Sequence, residues 1–211
     1  MPRCIQSSPS PARRRGAGIR ASLVIALLLS GGAAAAFAAE PPAAIKEIVQ
    51  TCAVCHGQNG VSEIEKTPSL AAQPDIFIQY QLVFIRDGQR QVEVMQQIAK
   101  QLTDQNIRDL GAYYSSLPPP PARTDAGKVD DKQAMALIEP RHCDSCHKPD
   151  FSGQGESARL AGQRPEYLAK ALSDFRSGAR RGRGMGAMIE VSVTLHDQDM
   201  QMIAAWLARK P

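Results

Sequence analysis

Cys52-Ala-Val-Cys-His56 and Cys143-Asp-Ser-Cys-His147 are one five-residue pattern, CxxCH, written twice ninety-one positions apart. Two cysteines separated by two residues and followed at once by histidine suit zinc, a redox disulfide or a covalently held haem. A structural zinc site wants a fourth ligand. The stretch 40–117 contains no histidine or cysteine beyond Cys52, Cys55 and His56. A thioredoxin-like pair needs a strand-helix-strand setting, whereas the flanking periodicity here is helical. The remaining reading is a c-type haem at each motif: both thiols add to the haem vinyl groups, and the contiguous histidine places an imidazole under the iron as proximal ligand. Covalent tethering holds a large apolar ring in a domain too small to retain it by burial alone, and only 5% of the 211 residues are aromatic.

Bringing the two motifs into register aligns much of the chain, which marks an internal repeat. Leu70, Gln73, Leu82, Arg86, Gly88 and Arg90 recur ninety positions on as Leu160, Gln163, Leu172, Arg176, Gly178 and Arg180. Near each copy's end, "MQQIAKQLTDQNIRDLGAYY" from Met95 matches "MIEVSVTLHDQDMQMIAAWL" from Met188 at an offset of 93. Four prolines at 118–121 cannot continue a helix and favour an extended spacer. The expected organisation is a first domain at 40–117, a linker at 118–129 and a second domain at 130–211.

Each copy reads as helical. Ile45, Ile48, Val49 and Cys52 recur at i, i+3, i+4 and i+7 and predict a helix running into the first motif. Its counterpart starts at the cap candidates Asp130 and Asp131 and meets Pro140, which predicts an irregular end. A middle helix buries Ile78, Leu82 and Ile85, matched by Leu168, Leu172 and Phe175, and stops near Gly88 or Gly178. A last helix starts after Thr103 or His196 and buries Ile107, Leu110 and Tyr114, matched by Met200, Ile203 and Leu207. The expected fold class is all-α, in two tandem domains.

The net charge of +4 is carried by one end of the chain, because Arg3, Arg13, Arg14, Arg15 and Arg20 all precede residue 38. That segment has a basic start, an apolar stretch from about Ala21 to Phe37 and Ala36-Phe37-Ala38 as an A-x-A site, the layout of an exported signal peptide over 1–38. Without it, 20 bases face 21 acids, and nucleic-acid binding loses its compositional support. Cys4 lies in the segment, so the remaining cysteines are the two motif pairs. The copies differ in charge: six bases and nine acids over 40–117, twelve bases and nine acids over 132–211. Such polarity orients a carrier toward its partners. Arg176, Arg180, Arg181 and Arg183 lead to the expectation that the second haem has the higher potential.

The sixth iron ligand separates electron carriage from small-molecule chemistry. Met95 is the only methionine in 40–117 and stands seven residues before Leu102; Met188 stands seven before Leu195. Both are the expected axial ligands, with Met185 in "GRGMGAM" the competitor to Met188 and core packing the alternative role for Met95. Met200 and Met202 fall inside the last helix. His142, directly before Cys143, and His196 read as surface or cap residues.

The signal segment, the two CxxCH units, the proline-containing linker, the "LAAQ" and "LAGQ" turns, "IRDGQR" and "FRSGAR", and "LTDQNIRDLGAYY" together resemble the diheme cytochrome c4 family over essentially the whole mature chain. The resemblance implies two class I cytochrome c folds related by a pseudo-twofold axis. It implies two covalently bound haem c groups, held by Cys52, Cys55, His56 and Met95 and by Cys143, Cys146, His147 and Met188. It further implies a periplasmic one-electron carrier rather than an enzyme, with a respiratory donor complex and a terminal oxidase as redox partners and room for peripheral membrane association. This chain departs from the pattern in about three inserted residues before Met188, in Ala158 where the first copy has Pro68, and in "RRGRGMG". Two rival roles stay open: the diheme subunit of a dehydrogenase, such as a flavocytochrome sulfide dehydrogenase, and a haem enzyme with a replaceable sixth ligand.

Overall fold

The amphipathic stretch from Ile45 to Cys52 folds as expected in the computed structural model, which describes residues 40–211; the expected signal segment, 1–38, lies outside the described residues. Helix α1 (Lys46–His56) follows a single 3-10 turn at Ala43–Ile45 and carries the first motif on its last two turns. It buries Val49 and Ala53 beside Ile45. Gly57 ends it at φ +82, where a Cβ would stand 2.0 Å from the Val61 carbonyl oxygen. Gly57→Ala is therefore expected to cost about 1–3 kcal/mol through a strained backbone beside the motif, read as a lower melting temperature.

The rest of the first copy is α2 (Asp75–Arg86), the short α3 (Glu93–Ala99) and α4 (Asp104–Ser116). Thr103 caps α4: its hydroxyl accepts the Asn106 N–H at 3.1 Å, while the Asn106 side chain accepts the Thr103 N–H at 3.0 Å. These bonds satisfy donors that a helix start leaves without partners. Helix α2 packs across α4, and their facing stripes enclose Ile78, Ile107, Leu110 and Tyr114 with Ile45, Val49 and Ala71.

The second copy repeats this with local changes. Asp130 caps α5 (Asp131–Ile138) by accepting the N–H groups of Lys132 and Gln133. Pro140 has the expected effect: the chain leaves α5 for a 3-10 turn at Glu139–Arg141, and His142 sits at φ 49 before α6 (Cys143–His147) restarts the helix with the motif. One helix of the first copy thus becomes two in the second, because proline lacks the N–H and its ring clashes with the preceding turn. Then come α7 (Pro165–Ser177), α8 (Gly186–Val193) and α9 (Asp197–Ala208). Helices α7 and α9 pack on each other and enclose Leu168, Met200, Ile203 and Leu207, with Phe151 edge-on to Trp206 at 5.5 Å between ring centres.

In both copies an arginine joins the end of the middle helix to the start of the last. Arg86 donates to Asp104 at 2.8 Å and to the Leu102 carbonyl at 3.3 Å; Arg176 donates to Asp197 at 2.5 Å and to the Leu195 carbonyl at 3.1 Å. Among the described residues there are no strands, only isolated bridges. One of these, antiparallel, pairs Arg90 with Arg180, the same position of the repeat from each copy.

Candidate haem-anchoring sites

Each motif presents two thiols in different surroundings. Cys52 and Cys143 are half-buried and pack against the cores of their own copies, whereas Cys55 and Cys146 are exposed. None of the four is in a disulfide. Burial pushes the Cys52 and Cys143 thiols above their ordinary pKa.

Both motif histidines turn inward. His56 is 6% exposed and donates from Nδ1 to the Pro68 carbonyl at 2.8 Å; His147 is 9% exposed and donates from Nδ1 to the Ala158 carbonyl at 2.7 Å. A carbonyl only accepts, so Nδ1 carries the proton and the Nε2 lone pair is left for a metal. Burial drives both imidazoles below the usual histidine pKa, opposed by the carbonyl bonds and aided by Arg90 near His56 and Arg180 near His147. A neutral imidazole with a fixed tautomer is the form a metal ligand needs. The replacement of Pro68 by Ala158 leaves the bond intact, because its acceptor is main chain.

The methionines fall at matching positions: Met95 is the third residue of α3, and Met188 the third of α8. Met95 is half-buried on a helix that packs against α2, and it is outside the cluster that forms the first core. Met185 is the N-cap of α8, 8% exposed, and fills a cluster with Phe84 of the first copy and Phe175 of the second, against which Met188 packs. His142 and His196 are exposed at the starts of α6 and α9.

The seam between the copies holds a feature the sequence showed only as matched letters. Arg90 and Arg180 share two acceptors. Gln81 Oε1 receives Arg90 at 2.8 Å and Arg180 at 2.9 Å, and the Tyr167 hydroxyl lies 3.3 Å from Arg90 and 3.4 Å from Arg180. Neither arginine forms an ion pair among the described residues, and Nε of the buried Arg180 has no partner. Burial alone would raise the Tyr167 phenol, but the two guanidiniums outweigh it and bring it down to about 8. A buried guanidinium, Arg180, beside a half-buried one, Arg90, with no counter-ion is costly unless an anion joins them.

These residues fit a haem in each copy. Each copy brings two unpaired thiols and one neutral, inward-turned imidazole, and the arginine seam suits the carboxylates that a haem carries. Among the described residues no three His, Cys, Asp or Glu side chains gather as a site for a bare metal ion.

Comparison with known proteins agrees. The family model for cytochrome c oxidase, cbb3-type, subunit III matches residues 38–113. A cytochrome c4 from Thiocapsa roseopersicina is 32% identical over 177 residues, covering 80% of this chain and 91% of the relative. A thiosulfate dehydrogenase electron acceptor from Thiomonas intermedia is 31% identical over 183 residues, with 82% of each chain covered. Among solved structures, reduced recombinant cytochrome c4 from Pseudomonas stutzeri superposes with a TM-score of 0.68 at 28% identity, covering 80% of this chain and 97% of that one.

Proposed function

We propose, from the premise that the chain belongs to the diheme cytochrome c4 family, that it is a periplasmic carrier taking single electrons from a respiratory donor complex and delivering them toward a terminal oxidase. Like its relatives, the chain is a diheme electron-transfer cytochrome rather than an enzyme, with two covalent haem c groups and redox proteins as partners. When bound, each haem supplies a one-electron ferric/ferrous couple.

The proposed ligand assignment is Cys52 and Cys55 as thioether anchors with His56 and Met95 as axial ligands in the first copy. In the second copy Cys143 and Cys146 anchor, and His147 and Met188 are axial, the two domains meeting through the 118–129 segment. The observation that carries this reading is the repeated imidazole-to-carbonyl bond, His56 to Pro68 and His147 to Ala158. It leaves both Nε2 atoms deprotonated and held in place, in two copies that differ in the helix leading to the motif. Thioether ligation from Met95 and Met188 would close both irons to substrate and raise their potentials. Arg90 and Arg180 would take the haem carboxylates at the seam.

The structure redistributes the charge behind the expected order of potentials. Arg176 is paired with Asp197 just as Arg86 is with Asp104, and Arg180 is matched at the seam by Arg90. The surplus left to the second copy is Arg181 and Arg183, both exposed and open to screening by salt. The second haem is still expected to titrate at the higher potential, by a margin that shrinks as ionic strength rises; a redox titration placing it lower would reject this.

Intact mass and visible spectra test the main reading: two haem masses on a chain cleaved before Ala39, with bands of methionine-ligated haem at two-haem intensity, are expected. Reoxidation of the reduced protein by oxidase-containing membranes then tests the acceptor. The likeness to the Thiomonas intermedia acceptor supports a second reading, in which a thiosulfate dehydrogenase is the donor; rapid reduction by such an enzyme with thiosulfate, and none by a respiratory donor complex, would favour it.

A further inference from the structure

The two glutamines of "LAAQ" and "LAGQ" reach across the seam in a reciprocal pattern. Gln163 Oε1 accepts the Ser69 N–H at 2.8 Å, and its Nε2 donates to the Ser69 carbonyl at 2.9 Å. In the opposite direction, Gln73 Oε1 accepts the Arg159 N–H at 3.0 Å, and its Nε2 donates to the Arg159 carbonyl at 2.9 Å. All four residues are buried. Ser69 and Arg159 occupy the same repeat position, so each glutamine grips in the other copy the residue equivalent to the one its partner grips in its own.

The position gripped matters because the Ser69 N–H belongs to the same planar peptide unit as the Pro68 carbonyl. That carbonyl accepts the Nδ1 proton of His56. The Arg159 N–H likewise shares a peptide with the Ala158 carbonyl, which accepts from His147. Each of these peptides is therefore held at its N–H end by a glutamine of the other copy and at its oxygen end by the histidine of its own. A hydrogen bond accepted by Gln Oε1 polarises the peptide and strengthens its carbonyl as an acceptor. A stronger acceptor makes the imidazole a better donor to a metal.

We propose that Gln73 and Gln163 are crossed positioning residues: Gln163 orients and polarises the proximal histidine of the first haem, and Gln73 that of the second. The inference rests on His56 and His147 being the axial ligands argued above. It follows that neither haem's potential is set by its own domain alone, since the last link of each chain comes from the other.

The test uses the holoprotein with Gln163→Ala and Gln73→Ala. Loss of polarisation weakens imidazole donation and destabilises the ferric state, so Gln163→Ala is expected to raise the potential of the first haem, and Gln73→Ala that of the second. In each case the other haem is unchanged, and the hyperfine-shifted ring protons of the opposite histidine move. Gln163→Met, close in size and without hydrogen bonds, should reproduce the shift if the alanine variant folds poorly. Amide exchange at Ser69 should quicken in the Gln163 variants, a readout independent of the iron. A shift confined to the variant's own copy, equal shifts at both haems, or no shift would overturn the proposal. A wild-type protein lacking two haem masses would instead reject the ligand assignment, and this inference with it.

Discussion

In Met188→Ala, the long-wavelength charge-transfer band of methionine-ligated ferric haem is expected to fall to half its intensity, and the second haem's potential to drop by a few tenths of the ~0.8 V span over which axial ligands tune haem. Met95→Ala should do the same at the first haem. Met185→Ala is the decisive control. Met185 is buried between Phe84 and Phe175, across the seam, so its truncation should cost roughly 2–5 kcal/mol of stability while both bands persist. The opposite result, with the band lost in Met185→Ala and kept in Met188→Ala, would move the ligand three residues and show that the insertion before α8 had shifted it.

The second large effect is expected from the thiols. Cys52→Ala with Cys55→Ala should lower the intact mass by one haem and unfold the first copy, leaving the second haem spectroscopically whole. A core of this size supplies no more than about 3–5 kcal/mol by itself. Cys52 also packs against that core, so the change removes packing together with the cofactor. Circular dichroism should lose about half of its helical signal, and the melt should begin at lower temperature. A variant that keeps two haems, or keeps its full helicity with one, would contradict the assignment.

The seam deepens what a two-haem carrier requires. Arg90 and Arg180 face one another through Gln81 and Tyr167, and Gln73 and Gln163 cross to grip the opposite copy. Charge and hydrogen bonding are thus concentrated where the copies meet, and Arg164 of the second copy also pairs there with Glu63 of the first at 3.5 Å. On the proposed reading the internal polar contacts tune the irons, and the exposed Arg181 and Arg183 serve encounter with partners.

Much of this was legible in the letters. The repeated CxxCH, the ninety-residue register and the 3.6-residue stripes determine an all-α duplicated chain with a thiol-thiol-imidazole set in each half, because covalent spacing and helical periodicity are local properties. The caps at Thr103 and Asp130 and the break at Pro140 were readable for the same reason. Only the tertiary structure decided which groups complete each site. Ala158 serves as well as Pro68, since a main-chain carbonyl is supplied by the path of the loop and not by the side chain. Gln73, Gln163 and Arg90 stand out in the sequence only as repeated residues, and Arg180 only as a repeated residue and one of the second copy's surplus charges. They act on residues up to 99 positions away in the chain, and partnership across a seam depends on how two folded copies dock, which no local pattern encodes.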